Sequence, residues 1–313
     1  MKFAATSADQ NRKGVFYGAS SFIVWGILPL YWKLLQELPP IEILAHRIFW
    51  SFVFMVLMVV IAGRWKVIAA AAGDRKKLLL MFFCGVLISI NWFVYIMAVN
   101  TGQVIEASMG YFISPLVVVL LGVAVLKEYL TRWQLTALIL AASGVLIVSI
   151  QYGKIPWIAL FLAGSFALYG LIKKMIRVDP VTGLTLETLI VMPAALIYIA
   201  TLEAGPAGAL GSSSLPVIFF LIGTGLITAT PLLLYARGIE NTTFSMMGFL
   251  QYIAPSINLF LGVVVFNEYF SFYHFLSFCL IWAGLAIFTM ANLGVLKEPL
   301  PLPVEQSEKS EAF

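Results

Sequence analysis

Long apolar stretches, separated by short polar connections, recur along almost the whole chain. Each stretch is about 20 residues long, which is the length that an α-helix needs to cross the hydrocarbon core of a bilayer. The stretches run continuously apolar and do not alternate with polar residues, so they do not resemble the strands of a transmembrane barrel. The pattern therefore predicts an all-α membrane protein with ten spanning helices. Their expected bounds are 15–33, 41–62, 78–98, 103–126, 132–150, 156–173, 181–201, 215–236, 243–266 and 272–292.

The composition agrees with this pattern. Of the 313 residues, 61% are hydrophobic and 11% are charged, whereas soluble chains carry about 45–50% apolar and about 25% charged residues. Such a chain lacks the polar surface of a water-soluble globule, and the spans leave little room for a soluble catalytic domain. The net charge of +4 does not indicate nucleic-acid binding, because the cations are scattered over short connections between the spans.

The positions of the cations predict the orientation. Most of the 19 Lys and Arg residues fall in alternate connections, beginning with the N-terminus, while the opposite connections hold only Lys33 and Lys154. Positively charged connections are retained in the cytoplasm, so both termini are expected there. Residues 1–14 then form a cytoplasmic N-terminus, and residues 293–313, rich in Pro, Glu and Ser, a disordered cytoplasmic tail.

The two halves of the chain resemble each other. Aligning Pro115 with Pro255 also places Glu128 on Glu268, together with several Gly and Tyr positions. Each half holds five spans, and because five is odd the second copy must enter the membrane in the opposite direction. Inverted repeats of this kind can open a shared midplane cavity first to one side and then to the other. The predicted repeats cover 15–150 and 156–292.

Polar side chains within the spans are candidates for the cavity wall, because lipid cannot satisfy their hydrogen bonds. Asn91 and Tyr95 are four residues apart and share a face of the third span. They line a cavity, or Asn91 only bonds to a neighbouring helix. Glu106, about one turn into the fourth span, either complements the helix dipole or carries a proton or meets a cationic solute.

The second span contains His46 and Arg47. Arg47 falls on Glu187 in the repeat, so an ion pair between them would link the two halves and could break during alternation; Arg47 could also meet an anionic group of the solute. The alternative is that each side chain reaches toward headgroups near an interface. His46 titrates near neutral pH when unperturbed, which makes it a candidate for coupling or gating.

Aromatic and amide side chains complete the expected cavity. Trp25 and Tyr169 coincide in the repeat and lie deeper than interfacial anchors usually do. Gln251 lies on one face of the ninth span with Pro255, and Tyr252 lies beside them. The prolines at matching depth are expected to bend their helices. The predicted substrate contacts are Trp25, Asn91, Tyr95, Tyr111, Tyr169, Gln251 and Tyr252, with Glu106, Arg47, His46 and Glu187 as coupling or gating residues.

Catalytic and cofactor motifs are missing from the sequence. There is no HExxH, no GxSxG and no phosphate-binding loop. Cys84 and Cys279 both lie inside apolar stretches, and the two histidines are too few for a metal centre built on imidazole. We therefore expect no enzyme, no cofactor and no metal, and any uphill transport must draw on an ion gradient or on exchange.

At the level of motifs, the sequence resembles the RarD family, an EamA-type branch of the drug/metabolite transporter superfamily. The resemblance covers about residues 14–292. It is carried by Trp25-Gly26 through Pro29, Tyr31-Trp32-Lys33, Glu42 through His46-Arg47, Trp50-Ser51, Asn91-Trp92 with Tyr95, Glu106 through Leu116, Thr228 through Pro231, and Gly248 through Pro255. Ser114 departs from the pattern, since the family often has Asn before this proline.

The resemblance implies a ten-span permease of the bacterial inner membrane with a five-plus-five inverted repeat. From the residues we expect a secondary transporter, an exporter of a small amphipathic or amino-acid-like solute or drug, acting by alternating access as a monomer or homodimer. Protons are the candidate coupling ion. A passive facilitator, a non-transporting partner subunit and a lipid-headgroup enzyme are the alternatives; the enzyme would need polar catalytic residues clustered at one interface, and none is visible.

Overall fold

A computed structural model describes residues 8–101, 103–176, 178–206, 208–265 and 272–296. Within these ranges the regular structure is helical. The helices are α1 (Ala8–Lys33), α2 (Pro40–Ile61), α3 (Trp65–Gly73), α4 (Arg75–Asn100), α5 (Val104–Ala124), α6 (Arg132–Tyr152), α7 (Trp157–Ile176), α8 (Pro180–Glu203), α9 (Ala209–Ser212), α10 (Leu215–Asn241), α11 (Phe244–Leu250), α12 (Ile253–Phe260) with a π-helical continuation (Leu261–Val265), and α13 (Phe272–Asn292).

The ten predicted spans are confirmed, because ten helical segments are long and apolar enough to cross a membrane. Most bounds agree within a few residues, although α1 begins at Ala8 and α10 continues to Asn241. Two short helices, α3 and α9, lie in connections and were not predicted. Residues 1–7 of the predicted N-terminus and most of the predicted tail, from residue 297, lie outside the described residues, as does Glu268.

The helix contacts follow the repeat. α2 packs on α8, α5 on α11 and α6 on α13, and each of these pairs joins a helix of the first half to its own counterpart. The other large contacts come in matched pairs, so that α5 with α7 mirrors α12 with α1, α1 with α10 mirrors α7 with α4, and α2 with α10 mirrors α8 with α4. The fold is therefore the five-plus-five inverted repeat, with α2 and α8 beside its pseudo-twofold axis.

The connections between the helices lie at two ends of the bundle, called here the basic end and the opposite end. The basic end is formed by the connections 62–64, 125–131 and 178–179, where α2, α5 and α7 end. Arg64 and Lys127 lie in these connections, and Arg132, Lys173 and Lys174 lie on the adjoining helix ends. The opposite end is formed by the connections 34–39, 153–156 and the described residues 204–206 and 208–214.

The two matching prolines have different consequences. Pro115 lies inside an uninterrupted α5, whereas the ninth span is broken just before Pro255. Residues Gln251 and Tyr252 form a turn between α11 and α12, and the span ends in a π-helical segment. A proline removes one helix hydrogen bond and clashes with the carbonyl four residues earlier, which here is that of Gln251. The predicted bend is thus a helix break in the second half only.

At the basic end, the connection after α5 holds the start of α11. The Glu128 carboxylate accepts hydrogen bonds from the backbone nitrogens of Phe244 (2.6 Å) and Ser245 (2.8 Å) and from Ser245 Oγ (2.6 Å). A carboxylate at a helix start satisfies free N–H groups and complements the helix dipole. Gly122 makes this approach possible, because a Cβ there would lie 2.8 Å from Glu128 Oε2.

Candidate functional site

Arg47 lies about two turns into α2, between aromatic side chains of two other helices. Its guanidinium carbon is 4.6 Å from the centre of the Trp32 ring and 4.5 Å from that of Trp92. Its Nε donates to Thr228 Oγ1 of α10 at 3.2 Å. Indole faces attract a cation through their negative quadrupole, so this environment holds the charge without a counter-ion.

Two tyrosines extend this site. The rings of Tyr95 on α4 and Tyr111 on α5 meet edge to face, with centroids 5.7 Å apart. Both phenols lie near the Arg47 guanidinium. Tyr111 is 44% exposed although it belongs to a spanning helix. Tyr111 touches Tyr95 and lies near Arg47, so it belongs to the same group of side chains. We call Arg47, Trp32, Trp92, Tyr95, Tyr111 and Thr228 the Arg47 cage.

No carboxylate forms an ion pair with Arg47 among the residues that the structure describes. The Nε–H of the guanidinium is used by Thr228, and the N–H groups on the two terminal nitrogens make no hydrogen bond to any described side chain or backbone group. A planar guanidinium with a free edge fits a carboxylate through two parallel hydrogen bonds. The cage can therefore take an anionic group together with an apolar body.

Glu187, the repeat counterpart of Arg47, contacts residues other than Arg47. Lys173 Nζ of α7 lies 2.9 Å from Glu187 Oε1, and both side chains are buried. The hydroxyl of Tyr169 donates to Glu187 Oε2 at 3.3 Å. Arg47 and Glu187 do not pair in this conformation. Their ion pair stays a prediction for another conformation of the protein.

A narrow space separates the Arg47 cage from the Lys173–Glu187 pair. The cavity between α2, α4, α8 and α10 has a volume of about 20 Å³. One water molecule requires about 10–15 Å³ on this measure, so no solute fits there. Its polar and aromatic lining residues are Ser51, Ser89, Trp92, Glu187, Thr188 and Thr228.

The two predicted amides are buried and hydrogen-bonded. The Asn91 side-chain nitrogen donates to the carbonyl of Leu162 (2.9 Å) and to Ser165 Oγ (2.8 Å) on α7. This is the helix-to-helix alternative considered for Asn91. Gln251 Oε1 accepts from Ser114 Oγ at 2.9 Å, and its Nε2 has no partner among the described residues. The pair joins the broken ninth span to α5 across the interface between the halves.

Three of the predicted aromatic contacts belong to the packed interior. Tyr169 and Tyr252 are 0% and 1% exposed. The Trp25 ring packs against the rings of Phe166 and Tyr235, with centroids 6.0 and 5.6 Å apart. In this conformation only Tyr95 and Tyr111, of the predicted substrate contacts, lie in the Arg47 cage.

Glu106 is tied to the start of α7. Its carboxylate accepts from the backbone nitrogen of Ile158 (2.8 Å) and from the hydroxyl of Tyr152 (2.7 Å), and Lys154 Nζ lies 3.8 Å away. The Glu106 side chain is 5% exposed. Glu106 therefore complements the dipole of the neighbouring helix α7, whereas the sequence suggested the dipole of its own helix, α5.

His46 points away from the Arg47 cage. Its Nδ1 accepts from Trp50 Nε1 at 3.2 Å, and its buried Nε2 has no hydrogen-bond partner among the described residues. Glu42, one turn earlier on α2, and Glu203, at the end of α8, lie on the same side.

Sequence reasoning did not select Trp32, Trp92, Thr228 or Lys173 as functional residues. The first three lie within the motifs that carry the family resemblance, but tryptophans near span ends are usually interfacial anchors. Lys173 follows Tyr169 by four residues, which places both on one face of α7. Only the side-chain contacts between α7 and α8 reveal that this face meets Glu187.

Comparisons with known proteins agree with this architecture. The model of the EamA-like transporter family matches residues 12–150 and again residues 155–290. The chain is 49% identical to the uncharacterized transporter YojE of Bacillus subtilis over 288 residues, which cover 91% of this chain and 96% of that protein. It is 40% identical to the protein RarD of Salmonella typhimurium over 283 residues, which cover 90% of this chain and 96% of that protein.

A solved structure described only as "Crystal structure of protein" superposes with a TM-score of 0.69, covering 91% of this chain and 99% of that one. Its sequence identity of 17% supports the fold alone. With two matches to the family model and relatives that align along nearly their whole length, the chain is a multi-pass transporter of the bacterial inner membrane. It belongs to the EamA-like transporter family, in the RarD group of the drug/metabolite transporter superfamily.

Proposed function

We propose that the protein is a secondary transporter that exports a small amphipathic or amino-acid-like solute by alternating access. The Arg47 cage carries this proposal. It combines one uncompensated guanidinium with two indole and two phenol rings. Such a set suits a solute that has a carboxylate and an apolar, preferably aromatic, body. We therefore propose amphipathic carboxylates as the class of solute.

The packing on the two sides of the cage supports alternating access. Toward the basic end, the buried Lys173–Glu187 pair and the small cavity leave no passage for a solute. Arg47 and Tyr111, which lie about two turns from the ends of α2 and α5 at the opposite end, are partly exposed. An inverted repeat offers a second conformation in which the two halves exchange these arrangements. The present conformation is then the one that is closed at the basic end.

Ligand binding tests the cage directly. We expect an amino acid such as L-phenylalanine to raise the melting temperature of the purified protein, while its carboxamide, which lacks the negative charge, should not. Arg47→Gln should abolish the shift. Lys33→Gln removes an exposed cation at the same end of the bundle and should leave the shift unchanged. Equal shifts with the acid and the amide, or an unchanged shift in Arg47→Gln, would contradict the assignment.

Transport in proteoliposomes separates an exporter from a passive facilitator. The amino acid that gives the largest melting shift should accumulate against its gradient when an ion gradient is imposed. It should do so only in the membrane orientation that corresponds to export. Equilibration without accumulation in both orientations would indicate facilitated diffusion.

Proton coupling at Glu106 is a further part of the proposal. Glu106→Gln should abolish transport driven by a pH gradient while the protein stays folded. Glu128→Gln is the matched control, because Glu128 binds the start of α11 as Glu106 binds the start of α7. Both variants lose part of a helix cap and should be somewhat less stable. If both transport equally well along a pH gradient, Glu106 has only the capping role.

A further inference from the structure

A second group of polar residues lies at the opposite end, outside the Arg47 cage. Glu42 and His46 are one turn apart on α2, and Glu203 ends α8, which packs against α2. One potential ligand atom from each of the three side chains lies within 4.8 Å of the other two. Glu42 and His46 are each 1% exposed, whereas Glu203 is partly exposed. The group is thus buried on the α2 side and reachable from solvent beside Glu203.

The connection that contains α9 orients both carboxylates. Glu42 Oε1 accepts from the backbone nitrogen of Ala209 at 2.8 Å, and Glu203 Oε1 accepts from that of Leu210 at 2.9 Å. Gly208 allows this close approach, because a Cβ there would lie 2.4–2.6 Å from the Glu203 carboxylate atoms. Each carboxylate keeps its second oxygen for another partner. Hydrogen bonds that fix ligand orientation in this way are typical around metal ions.

Charge and hydrogen bonding in the group are incomplete. Neither Glu42 nor Glu203 forms an ion pair with a cation in the described part of the chain. His46 Nε2 is buried and has no hydrogen-bond partner there. A buried polar atom without a partner costs free energy, as does a buried carboxylate without a cation. One divalent cation would compensate all three side chains.

We propose that Glu42, His46 and Glu203 bind a divalent transition-metal ion of the Zn²⁺ type. One imidazole and two carboxylates are suitable Zn²⁺ ligands, and three protein ligands leave a fourth position open to water. Ligand atoms on a tetrahedral Zn²⁺ are about 3.3 Å apart, given bonds of about 2.0 Å. The three side chains must therefore move closer together than they lie in this structure. The site is independent of the solute-binding cage.

Binding requires a change at Trp50. Because Trp50 Nε1 donates to His46 Nδ1 in this structure, the imidazole proton lies on Nε2. A neutral histidine that binds a metal through Nε2 carries its proton on Nδ1. The Trp50 indole then loses its acceptor and must turn away from the ring. Metal binding should consequently change the fluorescence of Trp50.

Calorimetric titration of the full-length, chelator-treated protein with ZnCl₂ tests the site. We expect saturable binding of one ion per chain and a higher melting temperature with Zn²⁺. His46→Gln and Glu203→Gln should each weaken the affinity at least about tenfold. His274→Gln removes the only other histidine of the chain and should bind as wild type does. The fluorescence response to Zn²⁺ should disappear in Trp50→Phe.

Absence of saturable Zn²⁺ binding to the wild-type protein would overturn the proposal. So would equal affinity in His46→Gln and Glu203→Gln, since the ion would then bind elsewhere. Arg47→Gln should retain full Zn²⁺ affinity while it loses the response to L-phenylalanine. Failure of the metal site and failure of the solute site can thus be told apart.

Discussion

The first turns of α2 and α8 occupy equivalent places in the repeat but have different surroundings. Every residue of 180–188 is buried, whereas residues 40, 41, 43 and 47 are partly or fully exposed. Glu187 of α8 is paired with Lys173, while its repeat counterpart Arg47 of α2 lies among aromatic rings and has no carboxylate partner in the described part of the chain. The same local geometry thus serves as a closed contact at the basic end and as a site with a free charge at the opposite end.

This difference has a physical origin. A buried charge is tolerated only when it is paired and hydrogen-bonded, and Glu187 has both an ion pair and a tyrosine donor. Arg47 is a guanidinium, which is weakly hydrated and packs well on aromatic faces, so it tolerates the absence of a counter-ion. Of these two charges, only Arg47 is therefore free to pair with a carboxylate of the proposed solute.

The largest expected effect is at the closed contact. Lys173→Met leaves Glu187 buried without a cation and should lower the free energy of unfolding by about 3–5 kcal/mol. Unfolding of the purified protein in mixed micelles measures this loss. The double variant Lys173→Met/Glu187→Leu should recover most of it, because no unpaired charge remains. A single variant as stable as wild type would show that the pair does not hold this end closed.

The matching change at the open site should be milder. Arg47→Leu removes two cation–π contacts, but it also removes the cost of keeping an unpaired charge out of water. We therefore expect the free energy of unfolding to fall by only about 1–2 kcal/mol. The same unfolding assay applies. A loss as large as that of Lys173→Met would mean that Arg47 has a structural counter-ion.

The N-termini of α2 and α8 also differ in their side-chain caps. Asp179 accepts from the backbone nitrogen of Thr182 at 3.0 Å and pairs with Arg64 at 3.1 Å, whereas Pro39, its counterpart before α2, has no side-chain cap. Asp179→Ala should cost about 1 kcal/mol, the usual effect of losing an N-cap. Pro39→Ala should cost less, because no cap is lost.

Asp179 also gives the cap a pH dependence. Burial raises the pKa of the Asp179 carboxyl, but the hydrogen bonds from Thr182 and the Arg64 guanidinium outweigh burial and hold this pKa below its usual value. The cap therefore contributes fully above the unfolded-state pKa of about 3.9 and is lost as the pH falls below it. Melting temperatures measured between neutral and acid pH should converge for wild type and Asp179→Ala at the acid end. A constant difference across the range would contradict this.

The smallest expected effect concerns Arg47 and Glu187 together. Each has separate partners here, so the stability changes of Arg47→Leu and Glu187→Gln should add within about 0.5 kcal/mol in a double-mutant cycle. Transport is a different measurement, because it samples the other conformation. If the two charges meet there, exchanging them should restore transport that each single reversal abolishes.

The spans, the repeat and the family could be predicted from the sequence because they depend only on residue types and their spacing along the chain. Twenty apolar residues in a row must form a spanning helix, since lipid offers no partner for the backbone. Pro115 and Pro255 show the limit of this reasoning. Both predict a bend, but α5 continues through its proline and the ninth span breaks at Gln251. Which outcome occurs depends on the neighbouring helices.

The candidate site was predictable only in part, for the same reason. Arg47, as a charge inside a span, and Tyr95, which shares a helix face with Asn91, were predicted as candidates together with Tyr111. Asn91 and Tyr169, equally unusual in the sequence, are used in packing between helices. The partners that define the cage, Trp32 and Trp92, come from α1 and α4, and their distance from Arg47 is not encoded in any local pattern.

By itself, the sequence determined that this chain crosses the membrane ten times in two similar halves of opposite direction. It also determined which charges lie inside the bilayer, since both follow from hydropathy and spacing. Only the tertiary structure decided that Glu187 meets Lys173, that Arg47 is left to aromatic rings, and that Glu42, His46 and Glu203 converge. Buried charges must be compensated by whatever lies beside them in space, and that neighbour is chosen by helix packing.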